Sequence, residues 1–338
     1  MTISGKKVLV LGGTGFLGNR LIHQLLQSGC EVSSFSRTIP LSNNNLKVNF
    51  ICGDIQDFNA VRNACEGNEI IFLTTARTGF WGSWKDYYNT NYLGTKNVID
   101  ACLNLNIKYL IYTSTPSVAY SALEDIIYKD ESIGYANTFL SPYPETKALA
   151  EKLILKSNGA ALKTVALRPH IIWGIGDRHI IPRILKAAKN KTLRRIGNRD
   201  IYVDITNVEN AAAAHIQVAN ALINPDLRVA GKAYFISDDK PVELWTWVNE
   251  VLKEIDYPLV KDTISFPAAY NVGLLSEYIY KAIPFLREPR LTRFTVSQLA
   301  HSHHFNIGAA KNDFGYHPIK NPDEAFIEYI DHLKSSLD

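Results

Sequence analysis

The segment Leu9-Val10-Leu11-Gly12-Gly13-Thr14-Gly15-Phe16-Leu17-Gly18 decides the fold. An apolar run typical of a strand leads into a glycine loop, and a helical pattern begins at Phe16. One glycine permits a tight turn, the next lets the backbone approach a pyrophosphate, and the third lets the helix pack on the strand. The helix N-terminus then offers free N–H groups to phosphate. We therefore predict a dinucleotide site formed by Gly12, Gly15, Phe16, Leu17 and Gly18.

Outward from this segment, short β-branched runs alternate with helical patterns, which predicts βαβ units and a parallel sheet. The predicted strands are 7–11, 31–35, 48–51, 69–73, 108–112 and 164–167, and the predicted helices are 16–28, 58–65, 87–105 and 143–157. After Pro169 the loops lengthen and prolines recur. We predict an α/β fold with a doubly wound parallel Rossmann sheet in residues 1–174, joined by strands that return from about 201–240. A smaller C-terminal substrate lobe is expected from residues 175–200 and 241–338.

The composition of the 338 residues is that of an ordinary globular protein. Lys and Arg number 36 and Asp and Glu 33, so the net charge of +3 gives no sign of a nucleic-acid-binding face. Cys30, Cys52, Cys65 and Cys102 form no Cys-x-x-Cys motif, and we expect buried free thiols in a reducing compartment. No signal peptide precedes the first strand, and no apolar stretch reaches the ~18 residues of a membrane span. We expect a cytoplasmic protein with no metal site, since the run His301-Ser302-His303-His304 lacks a matching ligand pair.

The end of the second predicted strand indicates which dinucleotide binds. An acidic side chain at this position would bind the ribose hydroxyls of NAD. The sequence instead reads Ser33-Ser34-Phe35-Ser36-Arg37-Thr38. Because a guanidinium suits a 2′-phosphate, Ser36 and Arg37 predict a preference for NADP(H); if Arg37 only stacks on adenine, NAD(H) binds instead. Asp54 and Ile55 follow the third strand, where the carboxylate either meets the adenine amino group or serves a turn.

Tyr143 and Lys147 are the predicted catalytic pair. The spacing Tyr-x-x-x-Lys occurs four times, at 92/96, 143/147, 257/261 and 316/320, so spacing alone is weak evidence. Ser141 can cap a helix in which one turn places Tyr143 and Lys147 on the same face. This pair follows the strand at 108–112, whose carboxyl end carries the hydroxyls of Ser114 and Thr115, where doubly wound folds bind ligands.

These residue types suit the reduction of a carbonyl group. A carbonyl that accepts hydride must also take up a proton, which a tyrosine can donate when its pKa of ~10 is lowered. A nearby Lys147 cation and the charge of oxidised nicotinamide are expected to lower it. Thr115 or Ser114 can hydrogen-bond the substrate oxygen, and the residues alone leave both open.

Together these features resemble the extended short-chain dehydrogenase/reductase superfamily, in its 3β-hydroxysteroid dehydrogenase-like branch. The motifs concerned are Tyr112-Thr113-Ser114-Thr115-Pro116-Ser117-Val118, Leu167-Arg168-Pro169, Trp173-Gly174-Ile175-Gly176-Asp177, Tyr202-Val203-Asp204 and Asp313-Phe314-Gly315-Tyr316-His317-Pro318. The segments Ala76-Arg77-Thr78-Gly79-Phe80-Trp81-Gly82-Ser83 and Leu291-Thr292-Arg293-Phe294 are most similar to 2-alkyl-3-oxoalkanoate reductases of bacterial olefin biosynthesis. Three residues depart from the pattern: Thr115 replaces a usual serine, Ile175 a proline, and His170 a smaller residue or another base.

The resemblance implies an NADP(H)-dependent oxidoreductase that interconverts a ketone and a secondary alcohol on an apolar, lipid-like substrate, a β-keto acid (3-oxoalkanoate) or a 3β-hydroxysteroid. It implies that Lys147 holds the nicotinamide ribose and that further cofactor contacts come from Thr75, Ala76, Thr113, Pro169 and Ile172. It places Trp81, Ser83 and Trp84 on the substrate side, with plain packing as the alternative for the tryptophans. Helices 87–105 and 143–157 pair across a homodimer in such relatives, so we expect a homodimer here.

Three points stay open at this stage. A sugar-nucleotide epimerase or dehydratase with tightly bound NAD would share the motifs, using arginines 178, 194, 195 and 199 to grip a diphosphate. A non-catalytic NADP-sensing regulator would share the scaffold. The apolar segment 264–286, which includes Phe285, is either a core helix of the lobe, a wall or lid over the substrate, or a weak membrane-surface contact.

Overall fold

The computed structural model describes residues 2–39, 47–121, 123–224, 228–283, 286 and 288–337. Its strands are β1 Lys7–Leu11, β2 Glu31–Ser36, β3 Val48–Cys52, β4 Ile70–Leu73, β5 Tyr109–Thr113, β6 Ile126–Lys129, β7 Lys163–Pro169, β8 Ile172–Trp173, β9 Arg195–Ile196, β10 Tyr202–Val203, β11 Thr206–Asn207, β12 Ala233–Ile236, β13 Val242–Glu243, β14 Thr263–Ile264 and β15 His303–Phe305. Its α-helices are α1 Phe16–Gln27, α2 Phe58–Cys65, α3 Trp84–Tyr87, α4 Gly94–Asn104, α5 Pro142–Lys156, α6 Ile181–Lys189, α7 Val208–Leu222, α8 Leu244–Glu254, α9 Phe266–Ala282, α10 Arg293–Gln298, α11 Gly308–Phe314 and α12 Pro322–Leu337.

Among the described residues, seven parallel strands form the central sheet in the order β12-β7-β5-β4-β1-β2-β3. The chain runs outward from β1 to β3, returns to β4 beside β1, and then continues outward in the other direction. This reversal is the switch point of a doubly wound Rossmann sheet. The predicted fold class is confirmed, and the predicted strands agree with the observed bounds to within two residues.

Both faces of this sheet are covered by helices. Along β1, Val8 and Val10 pack into a core shared with α1 and α7, whereas Leu9 and Leu11 pack into a second core shared with α2, α4 and α5. Successive side chains of a strand point to opposite faces, so a strand buried on both sides is apolar throughout. The glycine loop after β1 therefore opens at the carboxyl edge of a rigid, fully buried strand.

One expectation about local structure is refined and another is wrong. The chain is continuously helical from Trp84 to Asn104, as expected near residues 87–105, but a π-helical turn at Tyr88–Leu93 lies between α3 and α4. Such turns often accompany functional sites, and this one contains Asn91, discussed below. Cys52 is exposed at the end of β3, while Cys30, Cys65 and Cys102 are buried.

Helices α6, α8, α9, α10 and α12 pack around two further apolar cores and are called the lobe, whereas α11 packs against β12 and α7 of the main sheet. The expected domain bounds stay a prediction. Helix α9 buries Ala269, Gly273 and Glu277 and packs on α10, and a Cβ at Gly273 would lie 2.9 Å from the backbone of Arg293. The opposite face is exposed, with apolar side chains at Val272, Leu275, Tyr278 and Ile279. Helix α9 thus packs one face into a small apolar core around Ala269 and exposes the other face. Phe285 lies outside the described residues. None of the described helices combines the length and apolarity that a bilayer span needs.

Candidate active site

The glycine loop forms a cradle at the switch point of the sheet. Gly12 has a φ of +94°, and a Cβ there would lie 2.8 Å from the backbone N of Thr75, at the end of β4. A Cβ at Gly18 would lie 2.2 Å from the Gly12 carbonyl oxygen, so α1 starts directly against the turn. No side chain of the described residues caps α1 at Gly15, which leaves its first-turn N–H groups free for a phosphate. The loop thus has the shape and donors that a dinucleotide pyrophosphate requires.

The end of β2 lies against this cradle. The Thr14 N–H donates to Ser36 Oγ at 3.2 Å, and the Ser36 hydroxyl donates to the Phe35 carbonyl at 2.8 Å. Arg37 is exposed, and within the described ranges no acidic side chain pairs with its guanidinium. Two features therefore fit a 2′-phosphate at this edge. The Arg37 guanidinium has no acidic partner within the described ranges, and residues 33–38, at the end of β2 and just after it, include no carboxylate.

The next two predicted cofactor residues already have roles within the fold. Asp54 Oδ1 accepts a hydrogen bond from the Gln56 N–H at 2.9 Å, as in a turn. Ile55 is 4% exposed and packs against Gly94, where a Cβ would lie 2.8 Å from the isoleucine side chain. Asp54 keeps a second carboxylate oxygen for a ligand, whereas the Ile55 side chain belongs to the core.

Helix α5 carries the predicted catalytic pair. Ser141 caps it by accepting from the Tyr143 N–H at 3.4 Å, and Pro142 occupies the first helical position, where a missing N–H is harmless. One turn later Lys147 is 2% exposed. Its ammonium donates to the Thr113 carbonyl at 2.5 Å, and its Nζ lies 4.1 Å from the centroid of the Tyr112 ring. The end of β5 therefore fixes the position of Lys147.

The two titratable groups of the pair have shifted pKa values. Burial raises the pKa of Tyr143 to about 12, and the nearby Thr115 hydroxyl lowers it in part. Burial lowers the pKa of Lys147 to about 7, with the Glu151 carboxylate acting in the opposite direction. That carboxylate is held by Arg168 in a buried pair at 2.6 and 3.0 Å. Among the protein's own groups burial therefore dominates the pKa of the phenol, and the lowering expected from Lys147 together with oxidised nicotinamide stays a prediction.

The two candidate hydroxyls differ in their surroundings. Thr115 Oγ1 lies 2.8 Å from Ser117 Oγ and caps the 3-10 turn at Pro116–Val118. Ser114 is buried, and its Oγ has no hydrogen-bond partner among the residues the structure describes. The proximity of Thr115 to the Tyr143 phenol favours Thr115 as the group that meets a substrate oxygen.

Asn91 connects the loop after β4 to the catalytic helix, a role that the sequence-based prediction missed. Its side chain accepts from the Arg77 N–H at 2.7 Å and donates to the Arg77 carbonyl at 3.2 Å. Its amide also donates to Thr146 Oγ1 on α5 at 3.0 Å. The available signal was a polar residue in an otherwise helical stretch just before Gly94, which sequence reasoning assigned to packing.

The aromatic residues after β4 divide into two groups. Phe80 and Trp81 contact the lobe, with ring centroids 5.7 Å from Phe294 and 6.4 Å from Tyr280, respectively. Trp84 is 43% exposed and stacks on Tyr88 at 4.6 Å. Ser83 is exposed at the start of α3. Of the three residues predicted to contact substrate, Trp81 has a described ring contact with α9, and the role of all three in substrate binding stays a prediction.

The other predicted cofactor residues lie at strand ends on the same edge. Thr75 and Ala76 follow β4, Thr113 ends β5, Pro169 ends β7, and Ile172 pairs with Thr206 in a two-stranded parallel ladder. The Thr113 hydroxyl also lies 2.7 Å from Nε2 of the buried His215.

The histidine run and the arginines are engaged within the fold. His303 Nδ1 lies 2.6 Å from His170 Nε2, and burial lowers the pKa of both rings. Arg199 makes a bidentate pair with Asp125 at 2.7 Å, and Arg195 pairs with Asp200 at 2.8 Å. Two of the four arginines considered for a diphosphate are therefore bound to carboxylates.

Comparisons with known proteins agree with this geometry. The model of the 3-beta hydroxysteroid dehydrogenase/isomerase family matches residues 9–268. A 2-alkyl-3-oxoalkanoate reductase of Stenotrophomonas maltophilia is 41% identical over 92% of this chain and 94% of its own length. A decarboxylating sterol-4-alpha-carboxylate 3-dehydrogenase of Mus musculus is 33% identical over 97% of this chain and 92% of its own. The solved structure of the epimerase Mth375 from Methanothermobacter thermautotrophicus has a TM-score of 0.76 at 18% identity, covering 99% of this chain and 94% of that one, and shares the fold.

Proposed function

Because the chain belongs to the 3-beta hydroxysteroid dehydrogenase/isomerase family, we propose that it is an NADP(H)-dependent reductase of 3-oxo acids in which Tyr143 is the general acid. The observation that carries the proposal is the position of Tyr143, Lys147 and Thr115 at the carboxyl edge of the sheet, beside the glycine cradle. The intact set supports an enzyme rather than a cofactor-sensing regulator.

The chain's own residues account for the proton and for orientation. With a pKa of about 12, Tyr143 carries its proton at neutral pH and can donate it to the substrate oxygen. Thr115 lies beside the phenol and donates a second hydrogen bond to that oxygen, and Lys147 is fixed where it can hold the cofactor ribose. Bound NADPH supplies the hydride to the carbonyl carbon. The ketone becomes a secondary alcohol, and Tyr143 regains its proton from solvent.

Arg37 and Ser36 support NADP(H) rather than NAD(H). A charge-assisted contact to a phosphate contributes roughly 1.5–3 kcal/mol, so Arg37→Ala should reduce the preference for NADPH over NADH by about tenfold or more. Lys47, exposed at the start of the next described segment, gives a surface control, Lys47→Ala, that should keep the preference. Equal affinity of the unaltered protein for both cofactors would refute the cofactor assignment.

The names of the relatives support a carboxylate-bearing substrate. One is a 2-alkyl-3-oxoalkanoate reductase and another a sterol-4-alpha-carboxylate 3-dehydrogenase, and both names place a carboxylate on the carbon next to the reacting one. The deciding experiment follows NADPH oxidation with a long-chain 3-oxo acid, a 3-ketosteroid and UDP-glucose. Turnover of the 3-oxo acid is expected. Turnover of UDP-glucose alone, with tightly bound NAD, would support an epimerase or dehydratase instead; the arginine pairs at Arg195 and Arg199 speak against it.

A further inference from the structure

The loop after β4 presents a cation close to the catalytic helix. Arg77 follows Ala76, and both its backbone groups are held by the buried Asn91, which also bonds Thr146 on α5. Thr146 lies between Tyr143 and Lys147 in the sequence. A chain of three side-chain and backbone contacts therefore fixes the origin of the Arg77 side chain relative to the reacting groups.

The Arg77 guanidinium lies over an aromatic ring, and within the described ranges it makes no hydrogen bond to a carboxylate. It lies 5.3 Å from the centroid of the Tyr87 ring, and its nearest charged partner is Asp86, with an N–O distance of 3.6 Å. Its side chain is 43% exposed. Tyr87 itself is buried, donates to the Trp81 carbonyl at 3.1 Å, and lies within electrostatic range of Tyr143. The Tyr87 ring thus supports the Arg77 guanidinium, whose N–H donors remain available to a ligand.

A second guanidinium, that of Arg183 on α6, acts electrostatically on Tyr87 but is already paired with a carboxylate. Arg183 pairs bidentately with Glu288 at 2.9 and 3.2 Å and lies 5.5 Å from the centroid of the Phe80 ring. This bidentate geometry is the one in which arginine binds a carboxylate most strongly. Of these two guanidinium groups, Arg77 is therefore the one whose donors are available to a further carboxylate.

We propose that Arg77 binds the carboxylate of the substrate and thereby selects acids over neutral ketones and alcohols. The inference rests on the proposed function and adds the residue that recognises the acid group. In a 3-oxo acid one carbon separates the carboxylate from the reacting carbonyl, so the receptor of the carboxylate must stand near Tyr143. The loop after β4 is joined to the helix of Tyr143 through Asn91 and Thr146. The Tyr87 ring, over which Arg77 lies, acts electrostatically on Tyr143. A guanidinium with available N–H donors can bind a carboxylate through two parallel hydrogen bonds.

The test compares an acid with its neutral ester. The probes are 3-hydroxydecanoate and its methyl ester, oxidised with NADP⁺, and their binding to the NADP⁺-loaded protein is measured by calorimetry. Arg77→Met keeps the chain length and the backbone bonds to Asn91. It should raise KM and Kd for the acid about 10- to 100-fold, the range of a charge-assisted hydrogen bond, and change the ester by less than about threefold.

Two matched variants sharpen the result. Arg183→Met removes the neutralised guanidinium and should change neither ligand by more than about threefold. Asp86→Asn removes the acid that competes for Arg77, and it should tighten binding of the 3-hydroxy acid by about two- to fivefold without affecting the ester. A purely structural role of Arg77 predicts no such gain.

The outcomes separate this inference from the proposed function. If the unaltered protein binds acid and ester equally, or Arg77→Met weakens both alike, the carboxylate assignment is refuted while the reductase proposal stands. If the protein binds the acid through Arg77 but oxidises neither probe and reduces no 3-oxo compound, the reaction assignment is refuted and the binding site stands. Thermal melting of each variant shows whether a common loss reflects unfolding.

Discussion

Replacing Lys147 by methionine should make the protein more stable and inactive. The side chain is 2% exposed, and the one carboxylate that acts on it, Glu151, is occupied by Arg168. Its pKa is lowered from 10.5 to about 7 by burial. The difference is 3.5 units, and at about 1.4 kcal/mol per unit it corresponds to a cost of about 5 kcal/mol at pH 6, where the lysine is charged in both states. The variant also loses the bond to Thr113 and the contact with Tyr112, roughly 1–3 kcal/mol together.

A net gain of about 2–4 kcal/mol at pH 6 is therefore expected for Lys147→Met, measured by urea unfolding. The sign of the pH dependence is fixed by the lowered pKa. Between pH 7 and 10.5 the folded lysine has released its proton and the unfolded lysine still holds it, so the unaltered protein gains stability as pH rises. By pH 9 the difference in unfolding free energy between Lys147→Met and the unaltered protein should shrink by about 2–3 kcal/mol. The reasoning is refuted if Lys147→Met is no more stable than the unaltered protein at pH 6, or if the difference in their unfolding free energies does not change with pH.

Three further predictions concern the site and assembly. Tyr143→Phe removes the transferable proton and should lower turnover about 10²- to 10⁴-fold with cofactor affinity retained. The control Tyr316→Phe loses a buried hydrogen bond to the Ser237 carbonyl, so it should lower stability and leave turnover within a few-fold. Equal turnover of both variants would contradict the assignment of Tyr143. Thr115→Val should cost more turnover than Ser114→Ala, since only the threonine lies beside the phenol; the reverse order in steady-state kinetics would move the role to the serine. A homodimer through α4 and α5 is expected at micromolar concentration, and a monomeric mass in light scattering would exclude it.

Much of the fold could be predicted because its signals are local. The glycine loop and the capped start of α5 are each determined within a few residues, and the structure has both of them at the predicted place. The β-branched runs likewise predict the central strands, since a strand buried on both faces must be apolar along its whole length. The choice of Tyr143 and Lys147 among four similar pairs used only the preceding strand as context, and it stays a prediction.

The missed features depend on contacts between distant parts of the chain. Asn91 joins Arg77 to Thr146 across 14 and 55 positions, and a single sequence carries no periodic pattern for such a bridge. The rise that burial causes in the pKa of Tyr143 could not be predicted for a related reason. Proximity to Lys147 is readable from the spacing, but the extent of burial, which dominates both shifts, is a property of the folded protein.

These shifts also bear on the protonation state from which the proposed reaction starts. Reduction of a carbonyl needs a protonated acid at the moment of hydride transfer, whereas oxidation of an alcohol needs the phenolate. A phenol with a pKa of about 12 is almost entirely protonated at neutral pH, as an ordinary tyrosine with a pKa of about 10 is as well. Burial therefore keeps Tyr143 in the form that donates a proton, and oxidation at the same site requires Tyr143 to release that proton first.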